Sequence, residues 1–204
     1  MSLLDYADAS HPMIATRRRL LLRLTQQALV CVEGLGNFPY NLKKNRERSD
    51  SVVTDLSNVL DQMRLRSQSE FEKGEYFERL VKAFLENDDL QSQFYDGVWH
   101  YRDWASERGL PAKDIGIDLV ASHADGSGFC AVQCKFYAPD HSIQKTDIDS
   151  FVSAASTKDF VSLVLVDTTL RDLSPNAQAV LDHVDREYHR IALAVSDVSA
   201  YGSK

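Results

Sequence analysis

Residues 115–137 read IGIDLVASHADGSGFCAVQCKFY. Two mostly apolar runs, 115–122 and 129–137, have the composition of β-strands, and the glycines between them supply the positive φ angles that a tight turn requires. The sequence therefore predicts a β-hairpin. Side chains alternate along a strand, so Gln133 and Lys135 project from one face, and pairing of the strands can bring Asp118 beside them.

These three side chains suit the hydrolysis of a phosphodiester. That reaction needs a hard cation on the scissile phosphate, an attacking water of lowered pKa and a positive charge near the transition state. Carboxylate and carbonyl oxygens are ligands that Mg²⁺ accepts, so we expect Asp118 to bind the metal and Gln133 to offer its amide oxygen. Lys135 is expected to orient the water or to neutralise phosphate charge.

Helical and strand patterns flank the hairpin on both sides. A helix is predicted over 70–85, a strand and a loop over 95–104, a helix opened by Thr146 and Asp149 in a capping-box pattern, a strand over 160–166, a helix after Ser174-Pro175, and a last strand over 190–195. This order predicts an α/β fold with a central mixed sheet flanked by helices.

The region before residue 67 has a different character. Apolar positions recur at helical spacing over 11–33, and a second helix is predicted to start at Ser49 or Ser51. The pair is interpreted as a helical hairpin in front of the main domain. We therefore expect a helical segment at 1–66 and the main domain at 67–204.

Two motifs give the chain a resemblance to a known family. Gly116-Ile117-Asp118 followed by Gln133-x-Lys135 resembles the Mrr-like branch of the PD-(D/E)xK nucleases, in which Gln replaces the usual acid. Residues 73–78, KGEYFE, resemble the family's Gly-x-x-Phe-Glu helix. The resemblance covers about 71–195 and implies a restriction endonuclease-like core, with Glu78 as the acidic residue of the first helix and Glu75 as a weaker candidate.

The residues QCKFY at 133–137 and DIDSF at 147–151 resemble the amino-terminal nuclease domains of type ISP restriction enzymes. The resemblance implies a DNA endonuclease that uses Mg²⁺, with Mn²⁺ as a substitute, and implies helicase and methyltransferase modules as partners. One active site cuts one strand, so a double-strand break requires a homodimer or repeated encounters.

The family's proline-aspartate element is only loosely present, since Pro111 lies seven residues before Asp118. Asp114 is then a supporting acid beside the metal ligands.

Further candidates lie at the predicted start of the helix after the hairpin. Backbone amides at a helix start attract phosphates, so Gln144 and Asp147 are candidate site residues and Lys145 a candidate phosphate contact. The alternative is an ordinary helix cap. Trp99, Tyr101 and Trp104 either stack on exposed bases or pack in the core.

Charge and cysteines limit the function. The net charge is -7, and residues 67–204 carry 13 Lys and Arg against 23 Asp and Glu. An acidic domain is expected to bind DNA weakly by itself, so other domains or subunits would deliver the DNA. The same acidity, with Gln in place of an acid, keeps open a catalytically inactive nuclease-fold module for nucleic-acid binding or assembly. An RNA- or nucleotide-directed hydrolase ranks last, since neither a P-loop nor an RNA-recognition signature is present.

Three cysteines without CxxC spacing indicate a reducing cytoplasm, and no apolar run is long enough to predict a membrane span.

Overall fold

The predicted hairpin forms two central strands of a five-stranded mixed sheet. The computed structural model describes residues 51–88, 90–113, 115–157 and 159–193. The strands are β1 Tyr95–His100, β2 Leu119–His123, β3 Phe129–Lys135, β4 Phe160–Asp167 and β5 Glu187–Ala192, and they lie in that order across the sheet. Strand β2 pairs antiparallel with both β1 and β3, whereas β3 pairs parallel with β4, and β4 with β5. The predicted mixed α/β sheet is confirmed.

Five α-helices surround the sheet in the described part of the chain. They are α1 Ser51–Arg66, α2 Glu70–Asn87, α3 Tyr101–Glu107, α4 Lys145–Ala155 and α5 Pro175–Asp182. Ser69 caps α2 by accepting a hydrogen bond from the Glu72 N–H, and Ser174 caps α5 in the same way from Ala177. Ser174-Pro175 was therefore a correct helix-start signal.

The two faces of the sheet carry different helices because β-strand side chains alternate. Cys130 and Val132 on β3 belong to a buried cluster with residues of α1 and α2. Ala131, between them, belongs to a second cluster with Trp104 of α3 and residues of α4. A third cluster places α5 against Leu165 of β4. The hairpin is thus covered on both sides, which explains its nearly continuous apolar sequence.

Helix α1 packs onto this core through four apolar side chains that recur at helical spacing. Each is at most 3% exposed and shares the cluster of α2 and the sheet: Leu56, Val59, Leu60 and Met63. Burying one such side chain contributes roughly 1.5–3 kcal/mol, so α1 adds substantially to stability. The predicted helix over 11–33, and hence the helical hairpin, lies outside the described residues. The domain boundary at residue 67 remains a prediction.

Local details differ from the sequence-based expectations in several places. Strand β2 begins at Leu119, four residues after the predicted start at residue 115, so Asp118 lies just outside it. The segment after β1 is the helix α3 and not a loop, because Trp104 and Ala105 turn inward and are buried. Helix α4 is capped by Gln144, whose backbone N–H donates to Asp147 Oδ2 at 2.7 Å, so Thr146 lies inside the first turn. Strand β5 begins at Glu187, three residues earlier than predicted, since it pairs along the whole of β4 from Ser162 onwards.

The turn of the hairpin has the predicted glycine geometry. Gly126 has φ +73° and Gly128 φ +143°, and the Gly126 N–H donates to the His123 carbonyl at 3.0 Å. Both φ values disfavour other residues. Within the described part of the chain, no helix combines the length and the apolar composition needed to cross a bilayer.

Candidate active site

Asp118 lies one residue before β2, where the chain bends tightly against α4. Gly116 has φ +88°, and a Cβ added to it would lie 2.5 Å from Ser150 Oγ and 2.9 Å from the Phe151 backbone nitrogen. Only glycine fits there. The Asp118 N–H then donates to the Val132 carbonyl at 3.0 Å, and the Asp118 carbonyl accepts from the Tyr101 N–H at 2.9 Å. The backbone of Asp118 is therefore held from two sides.

Asp118 and Gln133 face each other across the hairpin. Gln133 Nε2 donates to Asp118 Oδ2, and the Cys134 backbone N–H donates to the same oxygen at 2.6 Å. Leu119 pairs with Val132 in an antiparallel ladder, so Asp118, which precedes Leu119, lies opposite Gln133, which follows Val132. The two side chains therefore share a face of the sheet. The structure brings together the acid and the amide that the sequence analysis placed on adjacent strands.

Gln133 has a buried oxygen whose hydrogen-bonding capacity is unused. The side chain is 4% exposed, and among the described residues its Oε1 has no hydrogen-bond donor. Two other buried polar atoms share this condition, Trp104 Nε1 and His141 Nε2, but neither lies beside Asp118 in a hydrogen bond. Leaving a buried carbonyl oxygen unsatisfied costs about 1–3 kcal/mol, so this atom requires an explanation.

The residues around Asp118 fit a hard divalent cation. Rotation about its terminal bond lets the Gln133 amide present either its nitrogen or its oxygen to the Asp118 carboxylate. One carboxylate and one amide oxygen suit Mg²⁺, which keeps several of its waters and needs few protein ligands. The described residues contain no group of three or more His, Cys, Asp and Glu that could hold a metal. A cation here would therefore depend on the amide oxygen.

A pocket of about 300 Å³ opens beside Asp118. Its wall includes Glu75 and Glu78 of α2, so the helix brings both candidate acids to the same pocket as Asp118. Glu78 Oε2 lies 3.6 Å from His100 Nδ1, at the end of β1. Neither Gln133 nor Lys135 is among the described residues that form this wall. Gln133 instead contacts Asp118 from the neighbouring strand β3.

Lys135 ends β3 and projects from the same face as Gln133 because the two residues are separated by one. Lys135 and nearby acids affect the pKa of the neighbouring Cys134 thiol. Burial raises the pKa of Cys134 well above its ordinary value, the negative charges of Asp118 and Glu78 raise it further, and Lys135 opposes them. Both acids and the lysine are therefore close enough to influence this thiol, and its raised pKa makes it a poor nucleophile.

The remaining predicted candidates have other contacts. Gln144 and Asp147 form the capping box of α4, and Tyr137 donates its hydroxyl to Asp147 Oδ1 at 3.0 Å. Lys145 Nζ donates to both oxygens of Asp149 at 2.6 and 2.7 Å. The structure does not place these residues on the pocket wall, and their predicted role at the site is untested. Asp114 lies outside the described residues.

Several pocket residues were not among the sequence-based candidates. They are Phe71, Arg79, His100 and Arg102. The signal that connects them is three-dimensional, since α2, β1 and α3 meet only after folding. Trp104 is 2% exposed and packs in the core, which supports the packing interpretation of that aromatic residue.

The mixed sheet, its flanking helices and the paired Asp118 and Gln133 on the central hairpin define a restriction endonuclease-like fold. A family model described as restriction endonuclease, Mrr_cat_2, matches residues 86–200, which is more than half of the chain. The chain belongs to this family. The match includes Asp118, Gln133 and Lys135, and it begins after Glu78.

A solved structure supports the same assignment. The chain is similar to the ATP-dependent type ISP restriction-modification enzyme LlaBIII, solved bound to DNA, with 27% sequence identity and a TM-score of 0.50. The similarity covers 69% of this chain and 8% of that enzyme, so the chain corresponds to a small part of it. No curated protein is similar enough to count as a relative. The predicted resemblance to Mrr-like and type ISP nucleases is confirmed, and both comparisons support a nuclease role.

Proposed function

We propose that the chain is a metal-dependent DNA endonuclease domain that hydrolyses phosphodiester bonds. The observation that carries the proposal is the unsatisfied, buried Oε1 of Gln133 next to the Asp118 carboxylate. A purely structural Asp–Gln pair would be expected to satisfy its buried oxygen within the protein. A site that receives a cation from outside the chain explains why this oxygen lacks a partner.

The roles of the residues follow from their positions. Asp118 and Gln133 would hold Mg²⁺, or Mn²⁺ in its place, and Glu78 would add an oxygen from the α2 side of the pocket. When bound, the cation would polarise a phosphate oxygen and lower the pKa of an attacking water. The Lys135 ammonium would orient that water or neutralise charge that develops on the phosphate. Glu75 lies one turn before Glu78 and would support the site electrostatically.

The wider context is also a proposal. Because the chain spans 8% of the type ISP enzyme that it resembles, we propose that it works as the nuclease part of a larger restriction enzyme. Helicase and methyltransferase modules would then deliver DNA to a domain that is too acidic to bind it strongly alone. Double-strand breaks would need a homodimer or repeated encounters. The cytoplasmic location remains a prediction from the cysteine pattern.

Plasmid nicking tests the endonuclease proposal. Wild type should convert supercoiled DNA to the open circle with Mg²⁺ or Mn²⁺ and not with EDTA, and Asp118→Asn and Lys135→Ala should each reduce the rate by about 10²–10³-fold. Arg66→Ala is the control, since it removes an exposed cation of α1 that bonds Gln62 and is not on the pocket wall. Nicking by Lys135→Ala at the wild-type rate would contradict the proposal.

A catalytically inactive module is the second candidate. It is favoured by the amide of Gln133 at the position of the usual acid of the (D/E)xK motif, because the amide reduces the negative charge available for a cation. Calorimetry with Mn²⁺ separates the two candidates, because the endonuclease requires binding that Asp118→Asn abolishes. A panel of duplex DNA, single-stranded DNA and RNA would test an RNA-directed activity in the same way.

A further inference from the structure

One aromatic side chain on the pocket wall is largely exposed. Phe71, in the first turn of α2, is 69% exposed, while the apolar residues that bury the inner face of this helix lie at other positions, Phe77, Leu80, Val81, Phe84 and Leu85. Residues four and seven positions after Phe71 are Glu75 and Glu78, so Phe71 starts the stripe of α2 that faces the pocket. A phenylalanine in this position does not contribute to the core.

Gly74 lies beside the same stripe, in the interior of α2. A glycine inside a helix is destabilising relative to alanine, so it usually has a packing reason. A Cβ at Gly74 would meet no described atom within 4 Å, so no neighbouring side chain of the described protein requires glycine here. The helix surface at Gly74 therefore leaves space for another molecule.

Two arginines complete this part of the wall. Arg79 lies on α2, two turns after Phe71, and its Nη2 is 3.9 Å from Glu75 Oε2, which is a long ion pair. Arg102 lies in the first turn of α3 and is exposed. An exposed ring and guanidinium groups on the wall of one pocket form a combination suited to a single nucleic-acid strand, since bases stack on the ring and phosphates contact the cations.

We propose that Phe71, Arg79 and Arg102, with the open backbone at Gly74, form a docking strip for one DNA strand next to the scissile phosphate. One unstacked base rests on the Phe71 ring, and the arginines contact the backbone on either side of the acids. The inference rests on the proposed function, because it takes DNA as the occupant. It implies that the domain prefers strands with unpaired nucleotides, since unstacking a paired base has a free-energy cost.

Binding measured without cleavage tests the strip. The Lys135→Ala protein in Mg²⁺ keeps the DNA intact, and the anisotropy of a fluorescein-labelled single-stranded oligonucleotide reports affinity. Adding Phe71→Ala should weaken binding by about 10-fold, whereas Phe71→Trp should retain it. Arg102→Gln should lower the slope of log affinity against log salt by about 0.7, as expected for one lost phosphate contact on a single strand.

Phe94→Ala is the matched control, because Phe94 is also exposed, at 53%, and is not part of the pocket wall. Binding by Phe71→Ala that equals binding by Phe94→Ala would overturn the strip, and so would tighter binding of an RNA strand of the same sequence. Wild-type nicking is scored separately. If wild type does not nick DNA but its binding still depends on Phe71, the endonuclease proposal is refuted and the strip is supported. If wild type nicks DNA normally but binding does not depend on Phe71, the strip alone is refuted. Circular dichroism checks that each variant is folded.

Discussion

Two buried polar clusters on the same face of the sheet differ in how completely they are satisfied. In the first, Asp118 and Gln133 bond each other, and Gln133 Oε1 has no donor among the described residues. In the second, Asp167 is fully buried, and Arg190 donates to it from Nε at 2.7 Å and from Nη2 at 3.1 Å. Thr169 adds its backbone N–H at 2.8 Å and its hydroxyl at 2.7 Å.

The difference indicates what each cluster is for. A buried charge that finds its counter-charge and its donors within the chain is complete, so it stabilises one conformation and needs nothing else. The Asp118 cluster is incomplete, so it is suited to a ligand. The two are neighbours, since Lys135 and Asp167 pair in register on β3 and β4, and the Thr168 N–H donates to the Lys135 carbonyl at 3.2 Å. The complete cluster thus holds the strand end that carries the candidate lysine.

Breaking the complete cluster should have the largest effect on stability. Arg190→Ala leaves the Asp167 carboxylate buried without its counter-charge, and such a change typically destabilises a protein by about 3–5 kcal/mol. Urea unfolding measures it. Arg186→Ala is the matched control, because Arg186 donates to two carbonyls, those of Ala155 and Ser156, and its loss should cost about 1 kcal/mol. If both variants lower the free energy of unfolding equally, the bonds of Arg190 to Asp167 are not specially important for stability.

The glycine that positions Asp118 should come next. Gly116→Ala forces a Cβ against α4 at a φ of +88°, so we expect a loss of about 2 kcal/mol together with loss of nicking, because Asp118 is displaced. For stability alone, Gly74→Ala is the control, since it adds the same methyl group to a helical position with open space. It should stabilise the protein by about 0.5–1 kcal/mol. A Gly116→Ala protein with wild-type stability and nicking would show that this glycine does not position the site.

The incomplete cluster should be the less costly one to change. Gln133→Leu removes both the donor to Asp118 and the unsatisfied oxygen, so stability without metal should fall by only about 1 kcal/mol. Wild type should melt at a higher temperature when Mn²⁺ is added, because a ligand that binds only the folded state stabilises it. Gln133→Leu should lose that increase. A variant that keeps the full Mn²⁺ effect would place the cation elsewhere.

The central hairpin and its cross-strand pair could be predicted because their signals are local. Alternation along each strand and the glycines of the turn determine which side chains face each other, and Gln133 and Asp118 followed from that. The Ser174-Pro175 start of α5 is local in the same sense. These features need only a few consecutive residues to be recognised.

The parts that could not be predicted depend on contacts between distant residues. Asp167 and Arg190 are 23 positions apart, and no local pattern connects them. Glu78 and His100 meet only because α2 packs beside the end of β1. Helix α3 has seven residues, which is too short for a clear helical period, so its aromatic residues suggested a loop. Gln144 is a weak cap by type, and Asp147 made it effective.

A pH-dependent effect, no larger than that of Gln133→Leu, concerns Asp147, whose carboxylate accepts hydrogen bonds from the Gln144 N–H and the Tyr137 hydroxyl at the start of α4. Burial raises the pKa of Asp147, but the Gln144 N–H, the Tyr137 hydroxyl and His141 together hold that pKa below its usual value. A lowered folded-state pKa means that the carboxylate contributes stability above the unfolded-state pKa of about 3.9, and that this stability is lost as the pH falls through the lower, folded-state pKa. Asp147→Asn keeps an acceptor for the cap and removes the charge, so it should cost about 1 kcal/mol at pH 7, and its deficit relative to wild type should shrink below about pH 4. Urea unfolding from pH 3 to pH 7 measures this, with Asp149→Asn as a control that removes the same charge from α4 without affecting the cap. A deficit that stays constant over the whole range would show that the carboxylate charge plays no part in holding the start of α4.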